Sequence, residues 1–127
     1  MNVLISGIAG RMGNVTAKLA LDGARGVTGV VGVDISGTFD GVPCYSSFDQ
    51  LTDAPDCIID FSHHSASKSL CDYAVKTGTP VVLCTTGYTE EEIEYTIKSV
   101  KEVVGYLRSI SPIWRDLVNG KKEFIIK

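Results

Sequence analysis

Short apolar runs alternate along this chain with stretches in which apolar residues recur at helical spacing. The runs lie at residues 3–5, 27–33, 57–61, 80–84 and 103–107, and each predicts a buried β-strand. The stretches between them predict helices over 13–22, 65–77 and 89–101, with a short helix within 46–51. Strands that alternate with helices imply parallel strands joined by right-handed crossovers. We therefore predict an α/β fold, a doubly wound parallel sheet in a single domain.

Residues that favour helix ends set the limits of these predicted helices. Gly23 ends the first helix, and Gly78 ends the second, for which Ser65 is the expected N-cap. Thr89 and Glu92 are spaced as a capping box at the start of the third helix. We assign the inward faces to Val15, Leu19 and Ala20 in the first helix and to Leu70, Cys71, Tyr73 and Ala74 in the second.

The first predicted strand runs directly into a glycine-rich turn. Its glycines, Gly7, Gly10 and Gly13, are spaced Gly-x-x-Gly-x-x-Gly and precede helix-forming residues. The first glycine permits a backbone conformation closed to other residues, the second permits close approach of a pyrophosphate, and the third permits close helix packing. The unpaired amides at the helix N-terminus face such an anion. Without its context the motif is more typical of an ordinary glycine-rich turn than of a cofactor site, since this spacing differs from the commoner Gly-x-Gly-x-x-Gly.

An acidic residue at the end of the second strand supplies that context. Asp34 follows Gly13 by twenty-one residues, where a carboxylate is placed to accept hydrogen bonds from the adenosine ribose of a dinucleotide. In a parallel sheet the ligand lies beyond the carboxyl ends of the strands. Those ends carry residues 7–13, Asp34, residues 61–64 and residues 84–88. We therefore predict dinucleotide binding in one cleft at this edge of the sheet.

Composition and charge limit the classes of partner that we expect for this chain. The chain has 127 residues, a formal net charge of −3 and a pI near 5.3, which gives no electrostatic reason to expect nucleic acid. No apolar run approaches the length of a membrane span and no secretory signal pattern precedes the first strand, so we expect a cytoplasmic protein. The four cysteines lack the clustering of a zinc site, and we expect reduced thiols and no metal.

Three motifs together resemble one family. They are Gly7-Ile8-Ala9-Gly10-Arg11-Met12-Gly13, Asp60-Phe61-Ser62-His63 and Thr85-Thr86-Gly87-Tyr88-Thr89. Their order and spacing resemble the N-terminal NAD(P)-binding domain of the dihydrodipicolinate reductase (4-hydroxy-tetrahydrodipicolinate reductase) family from residue 1 to about residue 104. The resemblance implies a Rossmann-like fold and an NAD(P)-dependent oxidoreductase of lysine and diaminopimelate biosynthesis.

The resemblance also implies roles for particular residues. The loop from Gly7 to Met12 would wrap the pyrophosphate, and Asp34 would bind the adenosine ribose. Phe61, Cys84, Thr85 and Thr86 would lie at the nicotinamide, its ribose and its carboxamide. Family members usually have Gly where this chain has Cys84. The cofactor-binding residues expected on both grounds are Gly7, Ile8, Ala9, Gly10, Arg11, Met12, Gly13, Asp34, Phe61, Cys84, Thr85 and Thr86.

Charge near the adenosine ribose bears on the choice of cofactor. The Asp34 carboxylate suits the free 2′-hydroxyl of NADH and repels the 2′-phosphate of NADPH. Ile35 and Ser36 stand where an Arg often accommodates NADPH. We predict a preference for NADH, with NADPH left open because Arg11 can pair with a phosphate.

The adjacent His63 and His64, followed by Lys68, invite a catalytic interpretation. The family uses a His-His pair and a Lys as proton donors, but in a separate substrate domain beside an Asp-Ala-Pro-Ser-Gly-Thr-Ala motif, which this sequence lacks. A proline is common in the family at the position of His64. We interpret the two histidines as loop and helix-entry residues and predict no catalytic residue in this chain.

The last part of the sequence departs from the family pattern. We divide the chain into a dinucleotide-binding domain over 1–107 and a divergent tail over 108–127 that packs on or extends it. Residues 114–118 predict a helical turn ended by Asn119 and Gly120, and residues 123–126 a last edge strand. The substrate domain is expected to be missing, which leaves three hypotheses open. The third of them is another doubly wound oxidoreductase whose catalytic domain is likewise absent.

The first hypothesis is a reductase represented by its cofactor domain. Such an enzyme would transfer hydride to a cyclic unsaturated dicarboxylate, a small substrate that binds only if a substrate domain is supplied. The second hypothesis is a stand-alone NAD(P)-binding module without catalysis of its own. Coupling between a dicarboxylate and nucleotide binding distinguishes them, because only a substrate site links the two. The sequence leaves the oligomeric state open, a homo-oligomer included.

Overall fold

The computed structural model describes residues 1–24 and 26–120, and within these ranges five strands form one parallel sheet. The strands are β1 (Asn2–Ser6), β2 (Gly29–Val33), β3 (Cys44–Tyr45), β4 (Cys57–Asp60) and β5 (Val81–Leu83). Their order in the sheet is β3-β2-β1-β4-β5, and every pair is parallel. The predicted α/β class and doubly wound parallel sheet are confirmed. Because β2 and β4 flank β1 on opposite sides, the strand order reverses at β1, where such sheets bind ligands.

Within the described ranges there are four α-helices, of which the first three follow strands of the sheet and the fourth follows the third helix. They are α1 (Arg11–Leu21), α2 (Ser67–Thr77), α3 (Glu90–Ile110) and α4 (Pro112–Val118). Two 3₁₀ turns, Phe48–Gln50 and His64–Ala66, follow β3 and β4. Gly78 ends α2 in a left-handed conformation, and Thr89 and Glu92 form the predicted capping box of α3.

Alternate residues of β1 enter two different cores. Val3 and Ile5 pack with Ala17 of α1 on one face of the sheet. Leu4, between them, packs on the other face with Ile58 of β4 and with Leu70 of α2. Because both faces are buried, the strand is apolar throughout, as a doubly covered parallel sheet requires.

The predicted inward face of α1 is wrong except for Ala20. Val15 and Leu19 are 48 % and 63 % exposed, whereas Gly13, Ala17 and Ala20 are buried. The helix packs through these small residues, which lets it approach the sheet closely. The larger side chains are left on the solvent side.

The start of α2 also differs from the prediction. Ser65 is not its N-cap, because a 3₁₀ turn precedes the helix. The His63 side chain caps that turn by accepting a hydrogen bond from the backbone N–H of Ser65. The α-helix proper begins only at Ser67.

One predicted strand is wrong, and one strand of the sheet was not predicted. Residues 103–107 are helical, because α3 continues to Ile110 instead of ending near 101. The β-branched run there is amphipathic at helical spacing, and Val103 is buried one turn beyond the buried Ser99. The fifth strand is instead Cys44–Tyr45, which pairs with β2 after a polar loop whose composition gives little strand signal.

The end of the described chain forms a short helix that contacts the end of α3. Pro112 opens α4 after the cap residue Ser111, and Asn119 ends it, as predicted for residues 114–118. The Arg108 guanidinium lies 4.2 Å from the centre of the Trp114 ring. Leu107, the last residue of the predicted first domain, lies within α3. The edge strand predicted over 123–126 lies outside the described residues.

Candidate functional site

A cleft of about 610 Å³ opens at the carboxyl ends of β1, β2 and β4. It lies at the point where the strand order reverses, and its size is that of a small-molecule site. The predicted cofactor-binding residues that line it are Gly7, Ala9, Gly10, Asp34 and Phe61. The structure therefore brings the glycine loop, the acidic strand end and the end of β4 into one cleft.

Gly7 and Gly13 make the turn after β1 fit against its neighbours. Gly7 has φ +77°, and a Cβ there would lie 2.8 Å from the backbone carbonyl carbon and oxygen of Phe61. A Cβ on Gly13 would lie 2.1 Å from the carbonyl oxygen of Gly7. Both positions thus require glycine, the first for its conformation and the contact with the end of β4, and the second for close packing of α1.

Gly10 leaves the N-terminus of α1 open. It is the N-cap residue of the helix, and no side chain caps this end. At the start of α3, by contrast, the Thr89 side chain accepts from the Glu92 backbone N–H and the Glu92 side chain accepts from the Thr89 backbone N–H. An uncapped helix N-terminus with exposed backbone is a binding site for an anion such as a pyrophosphate.

The remaining loop residues have different surroundings. The Ile8 side chain is fully buried in the core, so only its backbone faces outward. Arg11 and Met12, in the first turn of α1, are exposed. A guanidinium group is therefore exposed to solvent near the helix N-terminus.

The Asp34 carboxylate joins the end of β2 to the glycine loop. Its Oδ2 accepts a hydrogen bond of 2.9 Å from the Ala9 backbone N–H. Its Oδ1 accepts bonds of 2.8 Å from both the backbone N–H and the hydroxyl of Ser36. Burial raises the pKa of Asp34, but the hydrogen bonds from Ser36 and Ala9 outweigh it, so the pKa lies below its ordinary value.

The end of β4 repeats this arrangement, which the sequence analysis missed. Asp60 is 1 % exposed, and its Oδ1 accepts bonds from the backbone N–H of Ser62 at 3.1 Å and its hydroxyl at 2.6 Å. Its Oδ2 accepts a bond of 2.7 Å from the hydroxyl of Thr85. The sequence signal that could have indicated this arrangement is Asp-x-Ser, which occurs at the ends of two buried strands, at Asp34 and at Asp60.

Cys84, Thr85 and Thr86 do not line the cleft. They follow β5, next to the end of β4, and the Cys84 backbone N–H donates to the Asp60 carbonyl oxygen at 2.9 Å. Cys84 and Thr86 are exposed and Thr85 is half-buried. The segment therefore lies beside the cleft, and its hydrogen bonds to Asp60 connect it to the end of β4.

The Tyr88 hydroxyl is buried close to Thr85 without a well-formed hydrogen bond. Burial raises the pKa of this hydroxyl, and the charge of the Asp60 carboxylate adds to the effect. A buried polar atom without a partner is unusual in proteins.

The two histidines link the loop after β4 to the start of α3. The His64 Nδ1 lies 3.0 Å from both carboxylate oxygens of Glu92. The His63 and His64 ring centres are 4.1 Å apart, and His63 lines the cleft. The Thr89 backbone N–H, and then the His64 ring, lower the pKa of Glu92. The histidines occupy a loop and a helix entry, as the sequence predicted.

The far side of the cleft was not predicted. It is formed by residues at the 3₁₀ turn after β3, by the 3₁₀ turn after β4 and by α2, none of which carries a recognisable binding motif. The lining residues there are Ser46, Ser47, Phe48, Asp49, Ser65, Ser69, Asp72, Tyr73 and Lys76.

The described ranges hold no cluster of metal ligands and no helix suited to a membrane. Within residues 1–24 and 26–120, no three His, Cys, Asp or Glu side chains gather as metal ligands. The four cysteines, Cys44, Cys57, Cys71 and Cys84, are free thiols. Among the helices described, none is both long and apolar enough to cross a bilayer.

Comparison with solved structures shows the same fold in an oxidoreductase. The chain is similar to myo-inositol 2-dehydrogenase from Lactobacillus plantarum, with a TM-score of 0.69 and 20 % sequence identity. The match covers 99 % of this chain and 43 % of that protein.

Comparison of sequences identifies the family. A 4-hydroxy-tetrahydrodipicolinate reductase of Clostridium perfringens (strain SM101 / Type A) is 32 % identical over 94 % of this chain and 48 % of its own length. The reductase of the same name from Caldanaerobacter subterraneus subsp. tengcongensis is 38 % identical over 81 % of this chain and 41 % of its own length. The chain thus spans about half the length of the curated relatives it matches. Residues 1–110 match the family described as dihydrodipicolinate reductase, N-terminus. This chain therefore belongs to the dihydrodipicolinate reductase family of NAD(P)-dependent oxidoreductases, as the sequence motifs predicted.

Proposed function

We propose that this chain binds a nicotinamide dinucleotide as the cofactor domain of a dihydrodipicolinate reductase. The observation that carries the proposal is the uncapped N-terminus of α1, which lies beside the Asp34 carboxylate at the cleft. A helix terminus selects an anion, and a carboxylate selects hydroxyl groups. A dinucleotide offers both, a pyrophosphate next to a ribose.

In this proposal the glycine loop holds the pyrophosphate. The backbone amides of residues 11–13, at the uncapped helix N-terminus, supply hydrogen bonds, whereas those of Ala9 and Gly10 already donate to Asp34 and to the Gly7 carbonyl oxygen. Gly10 leaves room for the phosphate to approach. Gly7 and Gly13 hold the loop in shape through their contacts with Phe61 and with each other. The exposed Arg11 side chain adds a positive charge near the phosphates.

Asp34 binds the adenosine ribose in the proposal. A carboxylate has about four acceptor positions. The bonds from Ala9 and Ser36 fix the group and leave Oδ2 able to accept from a ribose hydroxyl. A lowered pKa keeps Asp34 ionised, which favours NADH over the doubly charged 2′-phosphate of NADPH. NADPH remains the second cofactor, through Arg11.

Phe61 and the Cys84, Thr85 and Thr86 segment are assigned to the nicotinamide end. When bound, the reduced nicotinamide supplies hydride to the acceptor. In this chain the residues bind and orient the ring, with Thr85 held by Asp60. Cys84 brings a larger side chain than glycine to this position, so it narrows the approach to the backbone.

The reaction proposed for the complete enzyme is reduction of a cyclic unsaturated dicarboxylate in lysine and diaminopimelate biosynthesis. Its support is the name of the relatives and the family match. We assign residues 1–107 to the cofactor domain and 108–127 to a tail that extends it, with substrate binding supplied by a further domain. Four free thiols suit the reducing cytoplasm, where we place the protein.

A stand-alone dinucleotide-binding module is the second candidate. The observation that favours it is that residues of this chain alone line the cleft. Such a module would bind NAD(H) without any response to a dicarboxylate.

Calorimetric titration of the purified chain with NADH and with NADPH tests the proposal. We expect NADH to bind in the micromolar range and Asp34→Asn to weaken it by roughly tenfold, the loss of one hydrogen bond to a charged group. Asp34→Asn should weaken the binding of NADPH less than that of NADH, because the substitution removes the repulsion between the Asp34 carboxylate and the 2′-phosphate. Asp49→Asn is the control, a carboxylate on the far side of the same cleft.

The titration is repeated with dipicolinate present. A change in NADH affinity would support the reductase, and no change would favour the module. The proposed site is wrong if neither dinucleotide binds. It is also wrong if Asp34→Asn and Asp49→Asn lower the affinity for NADH equally.

A further inference from the structure

Strand β5 forms one edge of the sheet. Within residues 1–24 and 26–120, it pairs with β4 on one side and with no strand on the other. Helix α3 runs beside this edge and is separated from it by an apolar groove. We propose that a second copy of this chain covers this surface, with β5 and α3 of each copy contacting β5 and α3 of the other about a two-fold axis. This inference goes beyond the proposed function and does not depend on it.

The backbone of β5 directs hydrogen-bonding groups out of the sheet. In a paired strand, the N–H and C=O groups of successive residues point to opposite sides. The Pro80 carbonyl oxygen and the Cys84 N–H both form hydrogen bonds with β4, each 2.9 Å long. The alternation therefore directs the backbone groups of Val81 and Leu83 away from β4. An open edge of this kind is a template for a strand of another chain.

A two-fold axis beside Val82 lets this edge pair with itself. Val81 of one copy then lies opposite Leu83 of the other, and the two residues exchange a pair of hydrogen bonds. Such a contact uses the same surface patch on both copies and closes at the dimer. Because β5 has only three residues, side chains must contribute most of the affinity.

Side chains of α3 supply an apolar contact next to the edge. Ile93, Ile97 and Val100 are each about half exposed and recur at the spacing of one helix face. Val104 continues this apolar stripe into the groove of about 120 Å³ between α3 and β5. A different face of α3, which includes Thr96, contacts α2. The stripe therefore points away from α2 and past the edge of the sheet.

Charged residues beside the apolar stripe make the surface complementary to itself. Glu90 and Glu94 follow its solvent side in the first half of α3, and Lys101 and Arg108 follow the same side in the second half. All four are exposed, and in the part of the chain that the structure describes none of them forms an ion pair. Two α3 helices packed antiparallel bring the acidic half of each against the basic half of the other. This charge pattern selects a second copy as the occupant.

Sedimentation equilibrium of the purified chain over a range of concentrations tests the proposal. We expect a monomer–dimer equilibrium with a dissociation constant in the micromolar range, as for a contact at the small end of specific interfaces. Ile97→Glu, which places a charge in the apolar stripe, should raise that constant at least tenfold. Leu19→Glu is the matched control, because Leu19 is an exposed apolar residue of α1, on the other face of the sheet. It should leave the constant unchanged, and equal effects of the two substitutions would overturn the proposal.

Charge reversal tests whether the partner is a second copy. Glu94→Lys and Lys101→Glu should each weaken the dimer by roughly five- to thirtyfold, because each places like charges at both symmetry-related contacts. An equimolar mixture of the two variants should associate about as tightly as wild type, since each such contact in the mixed dimer joins opposite charges. A mixture that associates no more tightly than either variant alone would overturn the proposal.

Hydrogen exchange measures the strand contact in the wild-type protein. Exchange of the Val81 and Leu83 amides should slow severalfold at concentrations well above the dissociation constant, whereas the Val82 amide, which faces β4, should slow less. A chain that stays monomeric at millimolar concentration would overturn the proposal. Protection of Val81 and Leu83 that is the same at every concentration would overturn it too, because the edge would then be covered within one chain. Failure to bind a dinucleotide would contradict the proposed function and leave this result unaffected.

Discussion

At the scale of single residues, Gly7 combines a left-handed backbone with a tight contact. Gly41 has nearly the same φ, +75° against +77°, but nothing lies within 4 Å of a Cβ placed there. We expect Gly41→Ala to destabilise the protein by about 1–2 kcal/mol through conformation alone. Gly7→Ala should lower the free energy of unfolding clearly more than Gly41→Ala does, because the added Cβ would lie 2.8 Å from the backbone of Phe61. Equal losses of unfolding free energy in urea would show that the close approach of Gly7 to the Phe61 backbone does not affect stability.

Asp34 should make stability depend on pH in acid. Its folded pKa lies below the unfolded value of 3.8, so its contribution is fully present above pH 3.8 and is lost as the pH falls through the folded pKa. The stability difference between wild type and Asp34→Asn should therefore be largest near neutral pH and shrink in that acid range. Urea unfolding at a series of pH values measures it, and a difference that stays constant with pH would contradict the account.

The sequence predicted the residues whose role depends on local backbone geometry. Gly7 and Gly13 could be assigned because spacing alone places them between a strand and a helix. Asp60 could not, since its role arises from the pairing of β4 with β5, which brings Thr85 to it from twenty-five positions away. A local sequence motif does not indicate a partner that is distant along the chain.

At the scale of elements, the capping box of α3 should contribute measurably to stability. The Thr89 side chain accepts from the Glu92 backbone N–H at 3.2 Å, and Glu92 accepts from the Thr89 backbone N–H at 2.8 Å. Thr89→Ala should cost about 1 kcal/mol in thermal or urea unfolding. Thr38→Ala, an exposed loop threonine, is the control and should change little. Equal effects would mean that the cap does not hold the helix.

Gly105 lies in the interior of α3 with nothing within 4 Å of a Cβ placed on it. Gly105→Ala should stabilise the protein by about 0.5–1 kcal/mol, because alanine favours helix and reduces the freedom of the unfolded chain. The midpoint of urea unfolding measures this. A loss of stability would contradict the open helical environment described for residue 105.

Element types were predictable where one pattern dominated. The strands at 57–60 and 81–83 are short apolar runs that allow one assignment. The C-terminal end of α2 and the start of α3 carry strong capping residues. Residues 103–107 satisfy both a buried strand and an apolar helix face, and only packing of Val103 in a continued α3 decides between them. For α1, the contact between Gly13 and Gly7 fixes the buried face, which hydrophobicity alone assigned wrongly.

At the scale of the whole molecule, the cofactor should stabilise the fold. The cleft is built from the ends of three strands that also form the core, so a ligand bound there is bound to the native state alone. At a free NADH concentration one hundred times its dissociation constant, the stabilisation should be about 2.7 kcal/mol. Thermal unfolding with increasing NADH measures it, with Asp49→Asn expected to behave as wild type.

The central claim is that the dinucleotide binds along the carboxyl ends of the strands, from the glycine loop to the end of β5. A ¹H–¹⁵N NMR titration with NADH tests it most directly, because each backbone amide reports separately. The account predicts the largest shifts at the amides of residues 8–13, at Ser36 and at Thr85. Shifts confined to α4 and the far end of α3, or none at all, would contradict it.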